Sequence, residues 1–445
     1  MTINKIILWC EVPKECDASA AYLFQALEKK GYPIFLLSKG HRETRRYSLG
    51  QLFEYRPTVN LTTPDWLPDK WIPRLSEKPD VSAEEYYEKL KKDALSILSM
   101  VRPKFLVVWN AEAPNYGILS DIAAANGVNI MHSERGLVPA SIYIDEHGVL
   151  NRSSRLCYWK DTRSKFSYQE LGQSVLSLVS NASTVRHRFR RYESLKLWAS
   201  IGSKSFSKIF VIFGSPSCEN GFAGEDPYIN RSIFPLFPSY FELFDFLVNR
   251  FPEVFWVYKP HPHSKLIDLP DYTNLIISHA HPDFLIEKGD AFLFHGSKLE
   301  LQAALSGKPV VLLGYGELWG SEAVFEINSQ RDLSNVIQNI VAEGESVGSD
   351  QKKLRDYLGW LSQEFLYFAD PECCTIPFMK DNDLEKRLLE LFGEEPSAEP
   401  FVPYSLIGQH RELINESAEN YSKAEHYAKF FFRSVRRIIS KLIYE

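Results

Sequence analysis

EVFWVYKPHP, residues 253–262, is an apolar run that ends on a cation, two prolines and a histidine. Its β-branched and aromatic residues predict a strand, and the prolines stiffen the point where it stops. Working outward, KIFVIFG (208–214) reads as the preceding strand, followed by a loop and a helix near 239–250. Downstream come strand TNLIIS (273–278), helix PDFLIEKG (282–289), strand AFLFHG (291–296), helix KLELQAALSG (298–307) and strand PVVLLG (309–314). Strands alternating with helices of these lengths form a doubly wound parallel sheet, here starting near residue 205.

The N-terminal half has the same rhythm. Lys5 to Cys10 predicts a strand, 18–30 a helix and YPIFLL (32–37) a second strand, the opening of a sheet with crossover helices. Residues 50–80 are rich in Pro, Trp and Asp and read as irregular, and a helix is expected from Ala83 to Met100. FLVVWN (105–110) reads as a buried strand, Tyr116 to Asn126 as a helix, Val128 to Met131 as a strand and Ser141 to Val149 as a hairpin. From Tyr158 to about Ser203 the pattern is helical and basic. The expected class is α/β, with two Rossmann-like domains at 1–204 and 205–392. Residues 393–445 add a Pro- and Glu-rich linker and one helix, 417–445.

A chain of 445 residues suits two such domains. The net charge of −6 argues against a nucleic-acid partner. Six cysteines without a CxxC pair read as reduced thiols, which points to the cytoplasm and away from a zinc site. The first apolar run is too short for a signal peptide, and no stretch approaches the ~20 apolar residues of a membrane span. Aromatic residues at 13% suit a protein that handles carbohydrate, because sugar rings offer apolar faces to aromatic planes. In the terminal helix, Lys429, Arg433, Arg436, Arg437 and Lys441 crowd an apolar face. Such a helix can lie on the anionic inner membrane surface or dock on protein.

Four segments carry candidate chemistry. Lys259, His261 and His263 stand at a strand's carboxyl end, interleaved with two prolines, a rigid grip for an anion such as a departing phosphate. In HGSKLE, strand passes directly into helix: His295, Gly296 and Ser297 can meet a phosphate there, and Glu300, one turn in, can take ribose hydroxyls. Ser297 and Glu300 also have the spacing of an ordinary capping box. In SERGLVP (133–139), Glu134 can serve as general base for an acceptor hydroxyl, with Arg135 beside it as an ion-pair partner and further candidate. The loop GSPSCENGFAGEDPY (214–228) carries Glu219, Glu225 and Asp226, which can act on an anomeric carbon as nucleophile or base. No GxxxxGK[ST] loop is present, which argues against a P-loop NTPase. The one DxD-type pattern, Asp381 to Asp383, lies in a polar stretch away from any expected strand end, so no metal is expected.

Taken together, SERGLVP, IDEHGVLNRSS, GEDPYI, KPHP and HGSKLELQAALSGKPVVLLG resemble the capsule-polysaccharide and O-antigen β-Kdo transferase family. The resemblance covers about residues 105 to 320. It implies a GT-B-type glycosyltransferase with the acceptor on the first domain and the nucleotide sugar on the second. It also implies a retaining transfer of Kdo from CMP-β-Kdo, without metal or other cofactor, to a lipid-linked glycan of the O-antigen or capsule. Carried over, Asp226 would be the nucleophile, Glu134 the acid/base, and His261, Lys259 and Ser297 the holders of the CMP phosphate. The reading of the segments themselves adds His263, His295, Gly296 and Glu300 to the expected donor site. This chain departs from the family around the nucleophile, with GSPSCEN and Asp226-Pro227, so Glu225 stays a rival to Asp226. Two further readings remain: a CDP-alcohol or other nucleotide-sugar transferase of teichoic-acid type, and a non-catalytic polysaccharide-binding or export protein.

Overall fold

A computed structural model describes residues 6–10, 17–37, 61–72, 75, 81–109, 114–138, 141–146, 148, 153, 159, 168–182, 206–214, 236–237, 239–261, 270, 272–314, 316–367, 388 and 391–392. The chain is an α/β protein, with two sheets among the described residues. It divides into two compact units, residues 1–133 with 385–445, and residues 134–384.

The first unit opens with β1 (Ile7–Cys10), α1 (Asp17–Lys29) and β2 (Ile34–Leu37). It continues through α2 (Leu67–Trp71), α3 (Ala83–Val101), β3 (Phe105–Trp109), α4 (Pro114–Ala125) and β4 (Asn129–Arg135), within which the division falls. With β5 (Ile142–Asp145) the sheet order is β2-β1-β3-β4-β5. β1 pairs parallel with β2 and β3, and β3 with β4. All of β1 and β3 is buried, as their unbroken apolar runs require. Helix α3 begins on a reciprocal capping box, the Glu85 amide donating to Ser82 Oγ at 3.2 Å and the Ser82 amide to Glu85 Oε2 at 3.4 Å.

Residues 50–80 were expected to be irregular, yet they contain α2. Pro68 suits its first turn, buried Leu67 and Trp71 anchor it, and Lys70 Nζ and Trp71 Nε1 each donate to Asp121 Oδ2 of α4 at 2.7 Å. Strand β4 also runs further than the apolar run VNIMH, through Ser133, Glu134 and Arg135.

The second unit contains α5 (Gln169–Ala182), β6 (Lys208–Phe213), α6 (Tyr240–Arg250), β7 (Val254–Lys259), β8 (Leu275–Ile277), α7 (Pro282–Lys288), β9 (Ala291–Phe294), α8 (Leu299–Leu305), β10 (Val310–Leu312) and β11 (Phe325–Glu326). After them come α9 (Gln330–Glu343), α10 (Gln351–Trp360) and a wider helical turn, Leu361–Phe365. Its sheet is parallel, in the order β11-β10-β9-β6-β7-β8. Alternate residues feed opposite layers. Val211, Phe213, Phe255, Val257, Phe292, Phe294, Val310 and Leu312 belong to one buried cluster. Phe210, Ile212, Val254, Trp256, Tyr258, Ala291, Leu293, Val311 and Leu313 belong to the other. A strand covered on both faces has no polar alternation, and each large side chain so buried stabilises by about 1.5–3 kcal/mol.

The compact units part at 133/134 and 384/385, where the sequence suggested 204/205 and 392/393. Helix packing accounts for the first difference. Gly172 of α5 lies so close to α10 that an added Cβ would sit 1.9 Å from the Arg355 carbonyl oxygen, and one on Gly359 would sit 2.3 Å from that of Tyr168. Aromatic packing accounts for the second: Phe392 meets Phe105 edge-on, with ring centroids 5.2 Å apart, and its carbonyl accepts from Tyr32 at 3.3 Å. The terminal helix expected at 417–445 lies outside the described residues. Among the described residues no helix is long and apolar enough to cross a membrane.

Candidate functional site

The candidate site is built on the carboxyl edge of the second sheet. The last residue of β6, Phe213, is in register with Lys259 of β7 on one side and with Phe294 of β9 on the other. The Gly214 amide then donates to the Lys259 carbonyl at 2.9 Å. Register alone therefore brings Lys259 and the start of His295-Gly296-Ser297 to the same edge. Lys259 and His261 are partly exposed, with Pro260 buried between them. His263 lies outside the described residues, as do Glu219, Glu225 and Asp226 of the acidic loop.

His295 ends its strand in the interior. It is 2% exposed, its ring stands edge-on to Tyr240 at 5.1 Å between centroids, and Nδ1 is 3.4 Å from the Tyr240 hydroxyl. Burial pushes its pKa down from 6.5 to about 3, so the imidazole is neutral at physiological pH. It can exchange hydrogen bonds but brings no positive charge. Gly296 follows at φ 116°, a conformation that favours glycine and turns the chain sharply from strand to helix.

The next four residues interlock. The Ser297 amide donates to Glu300 Oε1 at 2.6 Å, and Ser297 Oγ accepts from the Leu299 amide at 3.3 Å. Glu300 is fully buried, and its other oxygen accepts from the Leu318 amide at 3.2 Å. Its carboxylate thus holds two backbone turns together, the one at Ser297 and the one after β10. The spacing that allowed either a ribose contact or a capping box gives half of the box: Glu300 takes the Ser297 amide, Ser297 Oγ takes the Leu299 amide, and the helix proper starts one residue later, after Lys298.

Lys298 is a member of this cluster that sequence reasoning passed over. Its Nζ lies 3.6 Å from Glu134 Oε1, 3.3 Å from the Gly136 carbonyl, and also donates to the Arg135 carbonyl. Glu134 Oε1 further accepts from the Arg135 amide at 2.9 Å and faces Arg135 Nε at 3.8 Å. Glu134, Arg135, Ser297 and Glu300 are thereby drawn into one cluster through a lysine whose only sequence signal was its place in HGSKLE. Gly136 leaves the strand through a tight turn, its amide donating to the Ser141 carbonyl at 2.9 Å; an added Cβ would lie 1.9 Å from Ser141 Oγ. Among the described residues no group of His, Cys, Asp and Glu could hold a metal ion.

No family model and no curated protein sequence matches the chain. Among solved structures, it is similar to Thermosulfurimonas dismutans KpsC, beta Kdo 2,7 transferase, with 14% identity over 87% of this chain and 99% of that one, at a TM-score of 0.40. A second similar structure is Thermosulfurimonas dismutans KpsC, beta Kdo 2,4 transferase, with 12% identity over 64% of this chain and 87% of that one, at 0.37. A third is a UDP-N-acetylglucosamine 2-epimerase, with 11% identity over 90% of this chain and 100% of that one, at 0.31. These TM-scores lie below 0.5, so the likenesses assign neither a family nor an activity to the chain.

Proposed function

We propose that the chain is a retaining β-Kdo transferase of GT-B type that moves Kdo from CMP-β-Kdo to an O-antigen or capsule glycan. The observation that supports it most is the shared sheet edge, where β-strand register brings Lys259 to the strand end that continues into His295-Gly296-Ser297. In this reading Lys259, His261 and Ser297 hold the CMP phosphate, with His263 and Gly296 as further donor-binding residues. His295, neutral by burial, contributes shape and hydrogen bonding, and the positive charge comes from Lys259. Glu300 acts indirectly, by fixing the Ser297 amide.

The Asp226 carboxylate attacks the anomeric carbon, and CMP leaves with the bonding electron pair. The acceptor hydroxyl then attacks that carbon, its proton passes to Glu134, and Asp226 is released as carboxylate. Two inversions give net retention. A donor with a single phosphate needs no metal, because Lys259 can balance its charge. The basic segment 417–445, expected from its sequence to be helical, would hold the enzyme against the anionic cytoplasmic face of the inner membrane, near a lipid-linked acceptor.

Intact-protein mass spectrometry after incubation with CMP-Kdo tests this. The parent and Glu134→Ala should each gain the mass of one sugar, and Asp226→Ala should not. An adduct on Asp226→Ala that disappears in Glu225→Ala moves the nucleophile by one residue. No adduct and no CMP release from the parent would sink the reading.

A further inference from the structure

We infer that Lys298 is a positioning residue that sets the proton-accepting atom of Glu134; the catalytic half of this inference rests on the transferase reading above. An ammonium has three N–H donors. Lys298 donates to the Arg135 carbonyl and to the Gly136 carbonyl at 3.3 Å, and its charge stands at ion-pair distance, 3.6 Å, from Glu134 Oε1, so it engages three consecutive residues. Those residues end β4 and begin the turn after it.

The base from which Lys298 reaches is itself fixed. Ser297 before it donates its amide to buried Glu300, and Leu299 after it donates to Ser297 Oγ. One side chain therefore links the turn assigned to the phosphate with the strand end that carries the acid/base. An ion pair with 35% and 21% side-chain exposure adds little to stability, so holding the fold together is a weak reason for this convergence on the strand end.

The geometry also selects an oxygen. Among the described residues, Glu134 meets its partners through Oε1: the Arg135 amide, Arg135 Nε and Lys298 Nζ. Oε2 is left to take the acceptor's proton. Without Lys298 the carboxylate can rotate and the strand end can shift, and a misplacement of about 1 Å costs on the order of 100-fold in rate.

The test compares Lys298→Met, Lys298→Arg, Glu134→Gln and the Lys298→Met/Glu134→Gln double variant. Hydrogen exchange on ligand-free protein should show faster exchange at the Arg135 and Gly136 amides in Lys298→Met and near-parent exchange in Lys298→Arg. With CMP-Kdo and acceptor, Lys298→Met should lose about 100-fold in kcat with KM for the donor within about twofold. Lys298→Arg should recover most of that loss, and the double variant should be no slower than Glu134→Gln. Unchanged exchange, a kcat near the parent's, or a loss that adds in full to that of Glu134→Gln would each overturn the inference. If exchange responds as expected but the parent never uses CMP-Kdo, the donor reading fails and the anchoring of the strand end stands.

Discussion

Glu300 lies against the bare Cα of Gly316, where an added Cβ would come within 2.0 Å of its Oε1 and 2.2 Å of its Oε2. The carboxylate is fully buried and bonded to the amides of Ser297 and Leu318, so it cannot swing aside without abandoning them. A glycine on one loop and an acid on the first helical turn thus form one structural unit beneath the candidate site.

Gly316→Ala is expected to destabilise the protein by about 1–3 kcal/mol, through displacement of a well-packed buried group. Glu300→Ala should cost about 3–6 kcal/mol, since it removes two hydrogen bonds to a charged group at ~1.5–3 kcal/mol each. Combined, the two changes should cost less than their sum, because Gly316→Ala has no carboxylate to displace once Glu300 is gone. Urea titration of the single and double variants checks this; full additivity would mean that the two loops are not coupled.

His295 makes the fold sensitive to acid. Its folded pKa lies near 3, below the ordinary 6.5, so the unfolded chain binds the proton more readily. The stabilisation is complete above pH 6.5 and is lost progressively as pH falls towards 3. Between pH 7.5 and pH 5 this one group should remove about 2 kcal/mol. His295→Phe, which keeps a ring beside Tyr240, should flatten that part of the stability profile relative to the parent. An identical acid slope in both proteins would show that the imidazole is not buried neutral.

The seam between α5 and α10 gives a test of sign. On helix propensity alone, Gly172→Ala and Gly359→Ala should each stabilise by up to about 1 kcal/mol. In this fold the new methyl groups would strike the backbone carbonyls of Arg355 at 1.9 Å and Tyr168 at 2.3 Å. Each substitution should therefore destabilise, by about 1–3 kcal/mol, with separation of the helices as the only relief. Thermal or urea unfolding that shows a gain in stability would contradict the close crossing.

Much of the second unit was legible in the amino-acid order. KIFVIFG, EVFWVY, AFLFHG and PVVLLG are apolar without alternation, and only a strand covered on both faces tolerates that pattern, so class and strand positions followed from local chemistry. The KPHP and HGSK segments were recognisable because prolines, glycine and polar residues interrupt apolar runs abruptly. Strand boundaries were less visible where polarity misled: Ser133, Glu134 and Arg135 continue β4, although their side chains read as loop. The short helix α2 was missed for a related reason, since it owes its place to Asp121, 50 residues further along the chain from Trp71.

Taken by itself, the amino-acid order determined two rounds of alternating strand and helix, because hydrophobic periodicity is a local property read over a few residues. It could not determine which neighbours those elements would find. That Glu300 grips Ser297 and Leu318, that Lys298 reaches Glu134 across 164 positions, and that Gly172 admits α10 were decided by tertiary packing. Each depends on atoms distant in the chain meeting within a few ångströms, and such meetings are set by strand register and helix crossing, which no single segment encodes.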